Sequence, residues 1–190
     1  MAGVGLMGVT VKVTGGDKYK KFLAQMGEIA GSVKAGIFAD ATNGTTGQKI
    51  APYAIWNEFG ADIRVTPKMR AWFHYQGIHL KKDTVMLKIP ARPFMRTVAK
   101  DEAIKHKWIA GMVRFLKGRA ADKQAWLDAL GGCGEQMAKD IQDSIQNGAW
   151  VPNSPATVAM KAAKGKSEPN HPLMDTGDMF HAVRSEVYPK

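Results

Sequence analysis

The side chains best suited to metal binding or nucleophilic catalysis are five histidines and one cysteine. No two histidines form an HxxxH pair and none lies beside a CxxC motif, so the ligand spacing of a zinc site is absent. Cys133 falls on the apolar face of a predicted helix, where a buried and inert thiol is expected. The sequence therefore predicts no metal site, no cofactor and no cysteine-based catalysis. The histidines are His74, His79, His106, His171 and His181.

A single carboxylate motif, Asp175-Thr176-Gly177, resembles the active-site triplet of aspartic proteases. That chemistry needs two carboxylates that share one proton, each held in a loop between strands. A retroviral-type subunit has most of its barrel after the triplet, whereas this chain continues only to Lys190. We therefore favour a turn in which Asp175 caps locally, Gly177 adopts the unusual dihedral angles and Asp178 begins a helical turn. A hydrolase that uses Asp175 is the alternative, and the main expectation is that the protein is not an enzyme.

A surplus of basic residues is the clearest feature of the composition. The chain has 27 Lys and Arg against 17 Asp and Glu, and a formal net charge of +10. Such a balance favours contact with polyanions without identifying one. On a long helix predicted from about Phe94 to Lys117, four basic residues share one stripe opposite the apolar face. The composition slightly favours an ordinary solvated face for this stripe, and a DNA channel or an acidic partner is the alternative that it would suit. Its members are Arg96, Lys100, Lys107 and Arg114.

A second basic cluster lies in the segment TPKMRAWFHYQGIHLKKD, residues 66–83, which we call the arm. Aromatic residues interleave with basic ones there, a combination that suits single-stranded nucleic acid. It suits a protein interface equally well, because Trp, Tyr and Arg anchor binding hot spots. We favour the protein interface, since no recognised nucleic-acid-binding module surrounds the arm. The predicted interface residues are Trp72, Phe73, Tyr75 and Arg70, and the basic residues beside them are Lys68, Lys81 and Lys82.

Hydrophobic periodicity predicts an α+β fold, with one sheet of about four to five strands packed against two long helices. The strands are predicted at Val9–Val13, Ser32–Phe38, Asp62–Val65, Thr84–Ile89 and Ala182–Tyr188. The second long helix is predicted from about Gln124 to Gln146, and glycines in it allow a kink or a close backbone contact. A shorter helix around Tyr19–Ala30 is also expected. We expect a single domain over residues 1–190, with a flexible N-terminal arm at 1–8 and the inserted arm at about 66–83.

The segment PYAIWNEFG, residues 52–60, predicts a short helix that ends at Gly60. Its three aromatic residues, Tyr53, Trp56 and Phe59, are expected to lie close together and to anchor it. No stretch of the sequence is apolar enough to cross a bilayer, and the first residues lack the basic and long apolar regions of a signal peptide. These features predict a protein that is made and used in a cytoplasm.

Four motifs occur in a fixed order: PYAIWNEFG at 52–60, IPARPFMR at 89–96, NSPATVAMK at 153–161 and HPLMDTGDMFHAV at 171–183. This order resembles the phage virion-morphogenesis and tail-completion proteins, which include the minor tail protein Z type of neck component. The resemblance covers roughly residues 33–188, and the arm is an insertion relative to the shorter members.

The resemblance implies a small α+β subunit without catalytic residues, incorporated into the virion after assembly in the host cytoplasm. Its implied partners are other copies of itself in a ring, head-completion proteins, and tail-terminator or tail-tube proteins. It implies no membrane contact. The alternative function is a basic nucleic-acid-binding protein in non-specific contact with packaged or passing DNA, because the charge supports both readings while the motif order supports only the first.

Overall fold

The computed structural model describes residues 31–44, 46–117, 119 and 123–189. Helices and strands mix along the chain, which confirms the α+β class. In chain order they are β1 (Gly31–Ile37), α1 (Ile50–Phe59), β2 (Ala61–Arg64), α2 (Pro67–Tyr75), β3 (Met86–Ile89), α3 (Phe94–Lys100), α4 (Glu102–Leu116), α5 (Lys123–Asn147), α6 (Pro155–Ala163), α7 (Asp178–His181) and β4 (Val183–Pro189). The strand predicted at Val9–Val13, the helix predicted at Tyr19–Ala30 and the N-terminal arm at 1–8 lie outside the described residues.

The described strands form two separate two-stranded antiparallel sheets. In the first, β1 pairs with β4 from Gly31 opposite Pro189 to Ile37 opposite Val183. In the second, β2 pairs with β3, with Ala61 opposite Ile89. The prediction of one sheet with four to five strands is therefore wrong, because β2 and β3 satisfy each other's backbone groups as a local hairpin and do not join β1. This hairpin is the stem from which the arm extends.

Helix α5 packs across the sheet formed by β1 and β4. Its glycine at 134 makes this close approach possible, because an added Cβ there would lie 2.5 Å from Val33 Cγ2 and 2.8 Å from Ser185 Cβ. An added Cβ at Gly131 or Gly132 would meet no atom within 4 Å. The predicted close backbone contact is thus confirmed at Gly134, and the other two glycines have open space instead.

The hydrophobic core lies where α1, α3, α5, α7 and β4 meet. Phe94 and Ile145 are its most completely enclosed side chains, both with no exposed surface. Each fully buried side chain of this size contributes about 1.5–3 kcal/mol relative to an exposed one. The core therefore holds the second and fourth motifs against the long helix α5. Its buried members are Ile50, Ala54, Phe94, Val98, Ala138, Ile141, Ile145, Met179 and Val183.

The long helix predicted from Phe94 to Lys117 is broken at Asp101. This residue has an extended backbone (φ −76°, ψ 111°), and its carboxylate accepts hydrogen bonds from the backbone N–H groups of Ala103 (2.9 Å) and Ile104 (3.1 Å). It therefore caps α4 and ends α3, since an N-cap side chain pairs with the first unpaired N–H groups of a helix. Helix α3 enters the core, whereas α4 has no buried residue.

Candidate functional site: the arm, its base and the motifs that hold them

The charged residues of the first two motifs join these motifs to each other. Glu58, only 1% exposed, accepts hydrogen bonds from the backbone N–H groups of Met95 (3.0 Å) and Arg96 (2.9 Å) and from Arg96 Nε (3.0 Å). The same arginine donates from Nη2 to the Glu58 carbonyl at 2.6 Å. A carboxylate at the start of α3 suits the positive end of that helix. Glu58 therefore fixes the direction in which the IPARPF segment leaves the stem.

Arg92 ties these two motifs to the chain just before the third. It is buried, and its side chain donates to the carbonyls of Val151 (2.8 Å) and Pro152 (3.1 Å) and to Asn57 Oδ1 (3.2 Å). Its backbone N–H donates to the Asn57 carbonyl at 2.6 Å. Burial lowers the pKa of the Arg92 guanidinium, yet arginine keeps its charge at any physiological pH. Arg92 is therefore a scaffold residue with its donors directed at main-chain and amide oxygens.

The third and fourth motifs are joined in the same way by Lys161. Its side chain is buried, and its ammonium donates to the carbonyls of His171 (2.8 Å) and Met174. Burial lowers the pKa of this lysine, and the charge of Asp175 partly opposes that effect. Asn153 Nδ2 adds bonds to the Pro169 and His171 carbonyls. The loop before α7 is thus held by Lys161 of α6 and by Asn153, which lies just before α6.

The Asp175-Thr176-Gly177 segment forms a turn. Gly177 has φ +84°, in the left-handed region that favours glycine, and Asp178 begins α7. The local hydrogen bonds belong to Asp178, whose carboxylate accepts from Thr176 Oγ1 and, at 2.5 Å, from Asn43 Nδ2. The predicted capping role of Asp175 is therefore wrong: its side chain is exposed and hydrogen-bonds to no other described residue.

Two members of the predicted basic stripe are paired with buried carboxylates. Arg96 binds Glu58, as described above, and Lys107 Nζ lies 3.0 Å from Asp140 Oδ1. Asp140 also accepts from Trp108 Nε1 (2.7 Å) and Gln136 Nε2 (2.9 Å). Burial alone would raise the pKa of Asp140, but the hydrogen bonds from Trp108, Lys107 and Gln136 hold it below its ordinary value.

The other two members of the stripe, Lys100 and Arg114, are exposed and lie on different helices. The offsets that placed all four residues on one stripe assume a continuous helix, and the break at Asp101 removes that assumption. Lys107 and Arg114 share α4, whereas Arg96 and Lys100 belong to α3.

Arg70 organises the arm from within. Its guanidinium donates to three carbonyls of the returning chain: Leu80 (3.1 Å), Lys81 (2.8 Å) and Thr84 (2.8 Å). Helix α2 begins at an N-cap, Thr66, whose hydroxyl accepts from the Met69 N–H at 3.2 Å, and Pro67 follows it. Among the described residues, every hydrogen bond of the arm has its partner within residues 66–84. The arm is thus locally folded, and Arg70 serves its internal structure.

Two of the three aromatic residues predicted as an interface on the arm face solvent. Trp72 is 51% exposed and Tyr75 is 86% exposed, while Phe73 is half-buried and packs edge-on against Trp72 with ring centroids 5.0 Å apart. No residue of α2 is buried. The exposed lysines Lys81 and Lys82 form no ion pair with any residue in the described ranges. The arm therefore presents aromatic surface and uncompensated positive charge together.

A second apolar surface lies on α1, beside the stem. Trp56 and Phe59 are 45% and 59% exposed, and Ile55 is exposed next to them. The interpretation that the aromatic residues anchor this helix is wrong for Trp56 and Phe59, because its buried residues are Ile50, Ala54 and Glu58. Tyr53, the third aromatic residue, is partly buried and does pack against the core. An open depression adjoins this face at the base of the arm, lined by residues 59–62 and 88–91. We call Ile55, Trp56 and Phe59 the α1 face.

Sequence reasoning missed the α1 face because the pattern of α1 is misleading. A glutamate would ordinarily mark the exposed side of a helix, but Glu58 points inward to meet the backbone of α3 and the side chain of Arg96. The spacing of Ile50, Ala54 and Glu58 at every fourth residue was the available signal. This spacing indicates a buried face only if the start of α3 requires a carboxylate, which the sequence of α1 does not reveal.

Three observations on the described part of the chain concern metal ligands, the cysteine and the length of the helices. It contains no group of three or more His, Cys, Asp or Glu side chains placed to hold a metal ion. Cys133 is half-buried, and burial raises the pKa of its thiol, which opposes formation of the nucleophilic thiolate. None of the helices in the described ranges is long and apolar enough to span a bilayer.

Comparisons of the chain with protein-family models, with curated proteins and with solved structures gave no match in any of the three.

Proposed function

We propose that this protein is a structural subunit of a tailed-phage virion, a neck or tail-completion component that joins head-completion proteins and tail in an oligomeric ring. One observation carries the proposal: the α1 face and the arm both present large apolar side chains to solvent. Large exposed apolar patches on soluble proteins mark protein–protein or membrane interaction sites or ligand-binding grooves. The order of the four motifs favours this family of assembly proteins over other oligomeric proteins.

The charged residues of the motifs support a non-enzymatic role. Glu58, Arg92 and Lys161 are buried, and each directs its donors or acceptors at the protein's own backbone. A general acid, a general base or a nucleophile must instead reach a reacting atom of the substrate. These residues therefore account for a persistent fold and supply no reactive group to a cleft.

The arm is the part of this proposal that a variant tests most directly. Replacing both Trp72 and Tyr75 by Ala removes exposed aromatic surface and leaves the hydrogen bonds of Arg70 in place. We expect the double variant to match the parent in circular dichroism and melting temperature but to fail to join the particle. Such aromatic anchors often carry about 2 kcal/mol or more of binding free energy. Tyr188→Ala, which removes an exposed aromatic residue from β4, is the matched control and should assemble normally.

Two outcomes would count against the arm as a contact. If the double variant unfolds, its aromatic side chains stabilise the chain itself. If it folds and joins the particle as well as the Tyr188 control, the arm carries no binding energy, and the α1 face becomes the surface to vary next.

A second candidate function, contact with DNA, is favoured by the unpaired positive charge of the arm. Lys68, Lys81 and Lys82 are exposed beside Trp72 and Tyr75, the combination that tracks a nucleic-acid backbone and stacks on its bases. Each lysine that contacts a phosphate changes the slope of log affinity against log salt by about one. Replacing the three lysines by Ala should therefore flatten the slope by up to about three. No measurable affinity of the parent for single-stranded or duplex DNA at low salt would exclude this function for the free subunit.

A further inference from the structure

Two histidines of the arm meet with their ring nitrogens in contact. His74 lies in the last turn of α2 and His79 in the loop that follows. The distance between their Nδ1 atoms is 2.9 Å, and their ring centroids are 4.7 Å apart. Both side chains are exposed. Two imidazole nitrogens at this distance either share one proton as donor and acceptor or bind one metal ion together.

The backbone around the pair is held in place. After α2, the N–H groups of Gly77 and Ile78 donate to the carbonyls of His74 (2.9 Å) and Phe73 (2.8 Å), and Gly77 adopts φ +77°. On the other side of His79, Arg70 holds the Leu80 and Lys81 carbonyls. These bonds fix the Cα positions of both histidines before any ligand arrives. A chelating pair that is already positioned loses little conformational entropy on binding.

The 2.9 Å distance between the two Nδ1 atoms matches the spacing of two nitrogen ligands on one metal ion. Two nitrogens at about 2.0–2.1 Å from one ion and at a right angle to each other lie about 2.9 Å apart, as in octahedral coordination. A tetrahedral ion would place them about 3.3 Å apart, a shift of a few tenths of an ångström for two exposed side chains. Imidazole ligands suit Zn²⁺, Ni²⁺ and Cu²⁺ rather than Mg²⁺ or Ca²⁺.

We propose that His74 and His79 form a bidentate binding site for a late first-row divalent metal ion, of which Zn²⁺ and Ni²⁺ are the probes. Both rings then ligate through Nδ1 and carry their remaining proton on Nε2, and water fills the other coordination positions of the free subunit. The nearby cations Lys81 and Lys82 oppose binding of a dication by Coulomb repulsion. The site therefore depends on the strong metal–imidazole bond and is specific to ions that form one.

A bound ion would cross-link the C-terminal end of α2 to the returning loop. This cross-link at the tip of the arm would supplement the hydrogen bonds that Arg70 makes near the stem. This inference does not depend on the virion role, since it concerns the arm of the isolated chain. The sequence alone did not indicate it, because a separation of five residues is not the spacing of two ligands on one helix.

The experiment is a calorimetric titration of the full-length protein with Zn²⁺ and with Ni²⁺, comparing the parent with His74→Gln, His79→Gln and His106→Gln. His106 is an exposed histidine on α4 and serves as the matched control. We expect one ion per chain for the parent and the control. Loss of either arm histidine should weaken binding by about a hundredfold, because a chelate becomes a single-ligand site. Nitrogen-15 spectra of the histidine rings should show Nδ1, and not Nε2, shifting for two residues when Zn²⁺ is added.

The proposal fails if all four proteins bind the ions equally, since the ligands then lie elsewhere. It also fails if the parent binds no more tightly than a variant with one arm histidine, because the 2.9 Å contact is then a simple hydrogen bond between two rings. Circular dichroism of each variant in the absence of metal checks that the arm and body are folded, so that lost binding reports the ligands themselves.

Discussion

The Glu58→Gln substitution tests whether the buried charged residues of the motifs stabilise the fold. The substitution keeps the size of the side chain and removes its charge. The carboxylate now accepts from two backbone N–H groups and from Arg96 Nε. A glutamine offers one acceptor oxygen, and its NH₂ group would face at least one of these donors. A buried donor left unpaired costs about 1–3 kcal/mol, and a bond to a charged group is about twice as strong as a neutral one.

Arg96 is 42% exposed at its side chain, so water compensates part of its lost partner. The expected decrease in the free energy of unfolding is therefore about 2–4 kcal/mol, below the full cost of breaking a completely buried ion pair. For a chain of this length, that corresponds to a decrease in melting temperature of roughly 5–15 °C.

Urea denaturation followed by circular dichroism measures this effect. The control is Glu102→Gln, because Glu102 also pairs with a basic residue, Lys105 at 2.7 Å, but its side chain is 72% exposed. Exposed pairs contribute about 0–1 kcal/mol. If Glu58→Gln costs no more than Glu102→Gln, the buried carboxylate does not hold α3 against α1, and the scaffold interpretation of the motifs is refuted.

Four further outcomes are expected. In urea denaturation, Gly134→Ala should destabilise the fold by about 1–3 kcal/mol, because the added methyl group overpacks against the sheet. Gly131→Ala, in open space on the same helix, should stabilise the fold by up to about 1 kcal/mol. The pKa of Asp140 is depressed in the folded state, so the contribution of its carboxylate to stability is present above pH 3.8 and is lost as the pH falls further. The Asp140→Asn variant should therefore show a smaller change of melting temperature with pH in that range. Asp175→Asn should change the free energy of unfolding by less than about 0.5 kcal/mol and leave assembly intact. The isolated chain should sediment as a monomer or a weak oligomer at micromolar concentration.

Local signals in the sequence predicted several elements closely. The run Asn153-Ser154-Pro155 is typical of a capping residue, either Asn153 or Ser154, followed by the first turn of a helix. Helix α6 begins at Pro155, and its cap is Ser154, whose hydroxyl accepts from the Thr157 N–H at 3.2 Å. Gly60 was expected to end α1, and it does so with φ +77°. In these cases, the physical cause lies within three or four residues of the element, so that the local sequence contains it.

Features that depend on distant partners were not predictable in this way. The break at Asp101 is an exception with a local cause, because the carboxylate of this residue caps α4 through the N–H groups of Ala103 and Ile104 and outweighs an apolar period that continues through it. The inward direction of Glu58 depends on the backbone N–H groups of Met95 and Arg96 in α3, which lie 37 and 38 residues further along the chain. The pattern of a strand does not identify its partner: β2 pairs with β3 and not with β1, across an arm in which Arg70 donates three hydrogen bonds to the returning chain.

The exposed surfaces also explain why the free chain is expected to associate weakly. Helix α1 has a glutamate that is 1% exposed and a phenylalanine that is 59% exposed, the reverse of the usual distribution. Covering the exposed parts of Ile55, Trp56 and Phe59 would gain about 2–4 kcal/mol, on the basis of 1.5–3 kcal/mol for each fully buried side chain. Association itself costs about 4–15 kcal/mol in lost freedom of motion. One such face is thus insufficient for a stable pair. Covering the exposed parts of Trp72 and Tyr75 on the arm would add about 2–4 kcal/mol on the same basis, so that the two surfaces together reach only the lower part of that cost. A subunit with this distribution is expected to remain single until several contacts form at once.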